Sequence, residues 1–598
     1  MLARTAFAFA LGLLVCWNPG CVPVGDDGGT SDGDDNGNGN GGTDVPTLFV
    51  ASSLCTPCHN GLFDEADNDV SIGTAWQPTM MANAARDPYF QAKVSTEVER
   101  NPDLAAVIED TCATCHMPMA RTQATADGSS TALLDGGFLD SDNELHAEAI
   151  DGISCAFCHQ IEDAGLGEQA SFSGTYSIDT ITESPDRVNY GPFLDPDQDT
   201  MRLTSGFTPV YSEHVSEAAL CATCHTLFTP YVDAEGNVLG EFPEQTAFLE
   251  WRHSNFGDGA GEDRTCQDCH MPEAQGAAVI SVSPAGLEAR SPFAKHHFVG
   301  GNTLMLSILD DHRAELEVAA NSAGFDTVTG RVLDQLQNAA AGLAIVNAEV
   351  AGDALTMGLI VENKAGHKFP TGFPARRVWI HLTVADGGGA VFFESGAPQA
   401  NGSIAGNNAD DDLSTFEPHY EAITTDDQVQ IYESVMQNSD GAITYTLLRA
   451  AAYAKDNRLL PSGFDKATAG DDFATTGQAR TDTGFVGGSD TVAYVVDIAD
   501  RQGPYAVTAE FLYQSVAFPF VEDMRGGHTA LAERFVGYFD DADKTPTVVA
   551  TAEVTVQLES HHGRSSHDKL DSLRTCRCRD AAVGRWHRGP ADPAGRGK

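Results

Sequence analysis

Residues 55–59 read Cys55-Thr56-Pro57-Cys58-His59, and the same form recurs four more times along the chain. The other runs are Cys112-Ala113-Thr114-Cys115-His116, Cys155-Ala156-Phe157-Cys158-His159, Cys221-Ala222-Thr223-Cys224-His225 and Cys266-Gln267-Asp268-Cys269-His270. Each is CxxCH, the attachment signature of c-type haem. Two intervening residues set the thiols about one helical turn apart, which suits thioether bonds to the two vinyl groups of one haem. The next residue then projects toward the iron, where imidazole is a good axial ligand. Zinc sites and thioredoxin-like sites also use CxxC, but neither needs His directly after the second Cys. With 19 histidines in 598 residues, five such coincidences by chance are negligible. The motifs therefore predict five covalently bound haem c groups, with His59, His116, His159, His225 and His270 as proximal ligands.

The intervals between first cysteines are 57, 43, 66 and 45 residues, too irregular for a sequence repeat. Within residues 55–270 haem is expected to form the core as much as side chains do. Helices are expected around the motifs, with long irregular loops between them. Helical patterning runs over Asp87–Asp110 into the second motif and over Ser212–His225 into the fourth. A further amphipathic helix is predicted over Leu304–Ala320, with His312 exposed on it.

Ten of the 14 cysteines lie in the motifs, two in the leader and two in the C-terminal tail, which leaves none in the body for a structural disulfide. Apolar content of 42% is that of a globular protein, neither disordered nor multispan. The formal net charge of −51 comes from 86 acidic against 35 basic residues. Such a surface repels nucleic acid and anionic lipid and favours cationic partners, here redox proteins.

The leader has Arg4 before an apolar run, Ala6–Val15, too short to span a bilayer. It reads as a secretory signal over residues 1–21. A lipidated cysteine is expected at Cys21, after Gly20; Cys16, after Val15, and an unlipidated signal are the alternatives. Residues 22–46, rich in Gly, Asp and Asn, read as a disordered tether. The sequence thus predicts an exported protein, periplasmic or an outer-membrane lipoprotein, meeting the membrane by a lipid anchor only.

Low-spin electron-carrying haems need a sixth ligand, usually His or Met. His146 lies nine residues before Cys155 and His214 seven before Cys221. His296 and His297 precede Phe298-Val299-Gly300-Gly301, where glycine permits close approach to a flat ring. His367 sits in Gly366-His367-Lys368-Phe369-Pro370, a braced loop. These are the candidate distal ligands, with His296 favoured within its pair. His253, Met80 and Met81 are weaker alternatives. Met117 and Met271, directly after proximal histidines, are expected to pack by their own haem.

On these residues the N-terminal part resembles the cytochrome c-552/c-554 group of multihaem cytochromes. That group is related in haem packing to hydroxylamine oxidoreductase and pentahaem nitrite reductase. The matching stretches are Asp151–His159 with His146 before it, Leu220–His225, Thr265–Pro272, His296–Asn302 and Gly366–Gly372, within about residues 50–380. The resemblance implies haems stacked in near-contact pairs, mostly bis-His, acting as an electron conduit. Pentahaem nitrite reductases attach their catalytic haem through CxxCK, whereas all five motifs here end in His. No motif marks the cross-linking tyrosine of hydroxylamine oxidoreductase.

Beyond about residue 340 the periodicity shifts to strands: Val378–Val384 with Ala390–Glu394 as a hairpin around Gly388-Gly389, then Thr491–Ile498, Tyr505–Tyr513 and Thr547–Gln557. A helical insertion is predicted over Gln428–Asp456, and the acidic run Asp410-Asp411-Asp412 reads as a solvated loop. The expected fold is a mainly helical and irregular pentahaem domain (47–335) followed by an antiparallel β-sandwich-like domain (336–558) that lends it His367. Residues 559–598, His/Arg-rich with Cys576 and Cys578, read as a disordered basic tail. Electron transfer at the cell envelope is the expected function. The alternative is a haem enzyme in which one five-coordinate iron acts on a small nitrogen or sulfur compound.

Overall fold

Asp87 accepts hydrogen bonds from the N–H groups of Tyr89 and Phe90, and Pro88 follows it, so helix Pro88–Arg100 starts on a strong cap. The computed structural model describes residues 47–557 except 258 and 260. The expected signal, the cysteines at 16 and 21, the tether and the basic tail lie outside them. Among the described residues no helix is long and apolar enough to cross a membrane.

Helix Pro88–Arg100 stops before Pro102, where the backbone of Asn101 turns to φ −136°, ψ 60°. A residue before proline disfavours helix, so the run into the second motif is two helices, the second being Ala105–His116. The run into the fourth motif is likewise a 3-10 turn, Glu213–Ser216, and helix Ala218–His225. The helix expected over Leu304–Ala320 ends at Asp311. His312 is its C-cap and stacks on Tyr538 at 3.6 Å between ring centres, so it is half-buried and not exposed.

The motif-bearing part also contains short strands. Val188–Gly191 pairs in parallel with Thr208–Tyr211. Thr226–Val232, leaving directly from His225, pairs antiparallel with Val238–Thr246.

After residue 340 two larger sheets form. One has the order Ala341–Ala351, Ala354–Asn363, Ser489–Asp497, Ala422–Ile423. The other has the order Ile431–Tyr432, Arg377–Ala385, Tyr505–Gln514, Thr547–Val556, with Val391–Ser395 also pairing to Arg377–Ala385. These pairings are antiparallel except the short one between Ala422–Ile423 and Ser489–Asp497. Alternation follows the two-residue period of a strand: in Ser489–Asp497, residues 490, 492, 494 and 496 are buried and those between them exposed.

The expected helical insertion over Gln428–Asp456 is absent. That stretch forms strands Ile431–Tyr432, Ser434–Gln437 and Ala452–Asp456 around one 3-10 turn, Leu447–Arg449. Its polar groups pair across strands rather than along a helix, as between Ser434 and Asp456.

Both sheets feed one hydrophobic core, through Leu355, Leu359, Val492 and Val496 on one side and Ile380, Leu382, Val507 and Phe511 on the other. The same core includes Tyr89, Ala222, Phe242 and Trp251 from the motif-bearing part. The change in secondary structure near residue 336 is therefore no break in packing. Polar contacts cross it too: Glu97 takes the N–H of Leu447 at 2.6 Å, and Arg100 pairs with Asp523 at 2.8 Å.

Asp410 is not part of a solvated loop. Its carboxylate takes Arg377 Nη1 at 2.8 Å and Nη2 at 3.1 Å, while Arg377 Nε reaches Gln514 at 2.8 Å. Both charged side chains are buried, at 0% and 2% exposure. Removing one partner strands the other charge in the core. Asp410→Ala is expected to lower stability by about 3–5 kcal/mol, read as an earlier denaturant midpoint. A loss below about 0.5 kcal/mol would show that this pair does not hold the sheet.

Candidate haem centres

Each CxxCH run lies on a helical turn. Helices Ser52–Cys55, Ala105–His116, Cys155–Cys158, Ala218–His225 and Cys266–His270 carry them. Where the formal helix is short, the turn continues through backbone bonds from His59 N to Cys55 O at 3.2 Å and from His159 N to Cys155 O at 3.1 Å. The fifth motif caps itself: Asp268, inside the CxxC, takes the N–H of Thr265, whose hydroxyl takes the N–H of Asp268. None of the ten motif cysteines is in a disulfide.

Four of the five proximal histidines donate Nδ1–H to a backbone carbonyl. His59 binds Ile280 O at 2.6 Å, His116 binds Ala84 O at 3.1 Å, His159 binds Tyr190 O at 2.6 Å and His270 binds Val299 O at 2.5 Å. A neutral imidazole that donates from Nδ1 keeps its lone pair on Nε2, the atom a metal ligand needs. Burial lowers the pKa of all five, to about 4 for His116 and for His225, so the neutral form prevails at neutral pH. The surface of the His225 ring is open, yet protein surrounds it closely enough for desolvation to dominate. Phe90 stacks flat on His116 at 3.7 Å between ring centres.

The motifs meet one another through their thiols. Cys155 acts on the thiol of Cys55, Cys115 on that of Cys224, and Cys221 on that of Cys266. The first motif thus touches the third, and the fourth touches both the second and the fifth. Cys158 of the third motif also acts electrostatically on Cys224 of the fourth.

Two candidate distal histidines face a proximal one. The ring centre of His296 lies 6.4 Å from that of His159, with 25° between the planes. That of His367 lies 6.3 Å from that of His270, with 16° between the planes. Two imidazole nitrogens at about 2.0–2.1 Å from one metal atom, on opposite sides, would set their ring centres roughly 6.3 Å apart. Both outer rings are oriented through Nδ1, His296 to Ala294 O at 3.2 Å and His367 to Lys368 O at 2.8 Å. The donor set therefore fits haem at the third and fifth motifs in full, and at the other three on the proximal side.

The other candidates stand differently. His297 is half-buried beside Lys295 and Arg331; burial foremost and then these cations hold its pKa down to about 3. His146 donates through Nδ1 to Phe138 O at 2.9 Å, and its Nε2 faces Glu317 at 3.2 Å. His214 uses both nitrogens: Nε2 lies 2.8 Å from Ile161 O, and Nδ1 lies 2.6 Å from the Ser212 hydroxyl. His253 is exposed, bonded to Leu249 O and resting on Phe473. Met80 packs against the main core, and Met117 is fully buried in a second one.

A further buried cluster joins His419, Asp482 and Asp490. Gln430 and Asn457 both point amide N–H groups at His419 Nδ1, at 2.8 and 3.1 Å. Their amide oxygens take the N–H groups of Tyr420 and Glu433, which fixes this orientation. The ring proton must then sit on Nε2 and go to Asp482 at 2.9 Å. The ring offers no lone pair to a cation, and the cluster is a closed hydrogen-bond network. Burial, with Asp482 nearby, pushes Asp490 up to about 7.

No family model matches the chain, and no curated protein does. Among solved structures, the chain is similar to a penta-haem cytochrome c552 from Thermochromatium tepidum. The TM-score is 0.47 and the identity 16%, over 85% of this chain and 100% of that one.

The carbonyls that orient the proximal rings were not readable beforehand. A backbone acceptor has no side-chain signature, and the four come from residues as unlike as Ile280, Ala84, Tyr190 and Val299. Only Val299 lay in a stretch already singled out, beside His296 and His297.

Proposed function

We propose that this chain is an exported multihaem c-type cytochrome that carries electrons at the cell envelope through five covalently bound haem c groups. The observation that carries the reading is the paired imidazoles, His159 with His296 and His270 with His367, each next to a CxxC turn. When bound, haem supplies a reversible one-electron iron couple whose potential depends on its axial ligands and surroundings. The cysteines of each motif would hold one haem by thioether bonds. His59, His116, His159, His225 and His270 would be the proximal ligands, held neutral by burial and, all but His225, oriented by carbonyl bonds. His296 and His367 would complete the third and fifth centres, while His146, His214 and His297 remain the candidates for the others. The thiol contacts between motifs favour a connected set of centres over isolated ones. The strongly acidic chain suits cationic redox partners, which it would steer by charge.

A second reading, an enzyme with one five-coordinate iron, is favoured by the surroundings of His225. The imidazoles that act on it are His270 and His116, of the fifth and second motifs, and His367, and its charged neighbour is Arg376. A cation there would suit a small anionic substrate.

Electron paramagnetic resonance of the ferric protein, with haem quantified on the same sample, separates the two. Carriage of electrons requires all five haems to be low-spin. One high-spin haem in five that shifts on adding nitrite, hydroxylamine or sulfite would replace that reading with the enzyme. His296→Ala and His367→Ala are each expected to turn one low-spin haem in five high-spin while haem content stays unchanged. A spectrum indifferent to either change would remove that histidine as a ligand.

A further inference from the structure

His367 lies in the loop Gly366–Thr371, and this loop is gripped by a group from elsewhere in the chain. Glu250, on helix Ala247–Arg252, is fully buried. Its Oε2 takes the backbone N–H of Lys368 at 3.1 Å and the hydroxyl of Thr371 at 2.6 Å. The loop is thus held one residue and four residues after His367. The carbonyl of Lys368 in turn takes the ring proton of His367. Asn363 adds a third hold, donating to the carbonyl of His367 at 2.9 Å.

The carboxylate is itself fixed. Its Oε1 takes Thr246 Oγ1 at 3.0 Å and Arg458 Nη1 at 3.0 Å. Arg458 makes a two-pronged pair with Asp456, Nε at 2.9 Å and Nη2 at 2.8 Å. Asp456 closes the ring by taking Lys368 Nζ at 2.6 Å. Two anions and two cations, with side chains between 0% and 6% exposed, form one neutral quartet.

A quartet of buried charges is a poor way to gain stability, because well-packed apolar side chains serve as well or better. What it does supply is geometry, since each member is costly to leave unpaired and so none can move alone. Here Lys368 belongs to the quartet through both its ammonium group and its backbone, and it is the residue that orients the His367 ring.

We infer that Glu250 is a positioning residue for His367, and that its buried quartet with Arg458, Asp456 and Lys368 fixes the ring against its metal and sets the charge beside it. This rests on the reading of His367 as the axial partner of the fifth motif. The quartet joins the helix that follows the fourth motif to the β-rich part, so the ligand loop is anchored from both.

The test uses the full-length haem-loaded protein. Glu250→Gln keeps size and an amide oxygen but removes one charge, leaving an excess of one positive charge in the quartet. A positive change near an iron favours the reduced state. The expected result is unchanged haem content, one of five steps in a redox titration moved to higher potential, and an altered low-spin signal. That signal should be the one His367→Ala abolishes. Glu250→Asp, which restores the charge, should return the potential toward that of the parent. Thr371→Val removes a single donor and should perturb the same signal less; it decides the matter if Glu250→Gln fails to fold. Redox titration and spectra superimposable on the parent in the folded Gln variant, or in Thr371→Val if that variant is the one that folds, would overturn the inference. A parent protein without haem would instead sink the reading beneath it, which haem quantification reveals at once.

Discussion

A neutral imidazole has two ring nitrogens and one proton, and a metal can use only the nitrogen that lacks it. The motif-bearing part of this chain is organised around that constraint. His59, His116, His159 and His270 each give the Nδ1 proton to a carbonyl, and so present Nε2. The carbonyls lie 221, 32, 31 and 29 residues away in sequence. The irregular stretches between the motifs and after the last of them therefore deliver acceptors. Burial does the rest, since an imidazole that cannot be solvated as a cation stays neutral and ready to ligate.

The β-rich part contributes in two ways. It shares a core with the helices around the motifs, so residues of the two parts bury one another. It also furnishes His367 opposite His270, on a loop whose backbone is bound to a carboxylate from the other part. Two buried ionic groups serve these ends differently. Arg377 and Asp410 brace a strand against the chain that crosses it. Glu250, Asp456, Arg458 and Lys368 brace a single ring.

The motifs were legible because covalent attachment demands contiguous residues. His367 and His296 could be singled out because nearby glycines, Gly366 and Gly300-Gly301, leave room for backbone to approach a flat ring. Which histidine faces which motif was not legible, because pairing is set by folding over long separations: His159 and His296 are 137 positions apart. His214 illustrates the limit. Its spacing before Cys221 suggests a ligand, while the partners of its two nitrogens, Ile161 O and Ser212, include a carbonyl that cannot be read from side chains. The failed helix over Gln428–Asp456 has a related cause. Its strands are two to five residues long, too short for a period to register. Likewise Asp410 looked like one of three solvated acids because nothing local announces Arg377, 33 residues earlier.

On the proposed reading all five CxxCH turns hold haem covalently. The most direct measurement is the intact mass of the protein purified from a host with haem-attachment machinery, after denaturation and with disulfides reduced. A mass exceeding that of the processed polypeptide by five haems is the expected result. A polypeptide that carries none, or that releases its haem on denaturation, would contradict the account at its base.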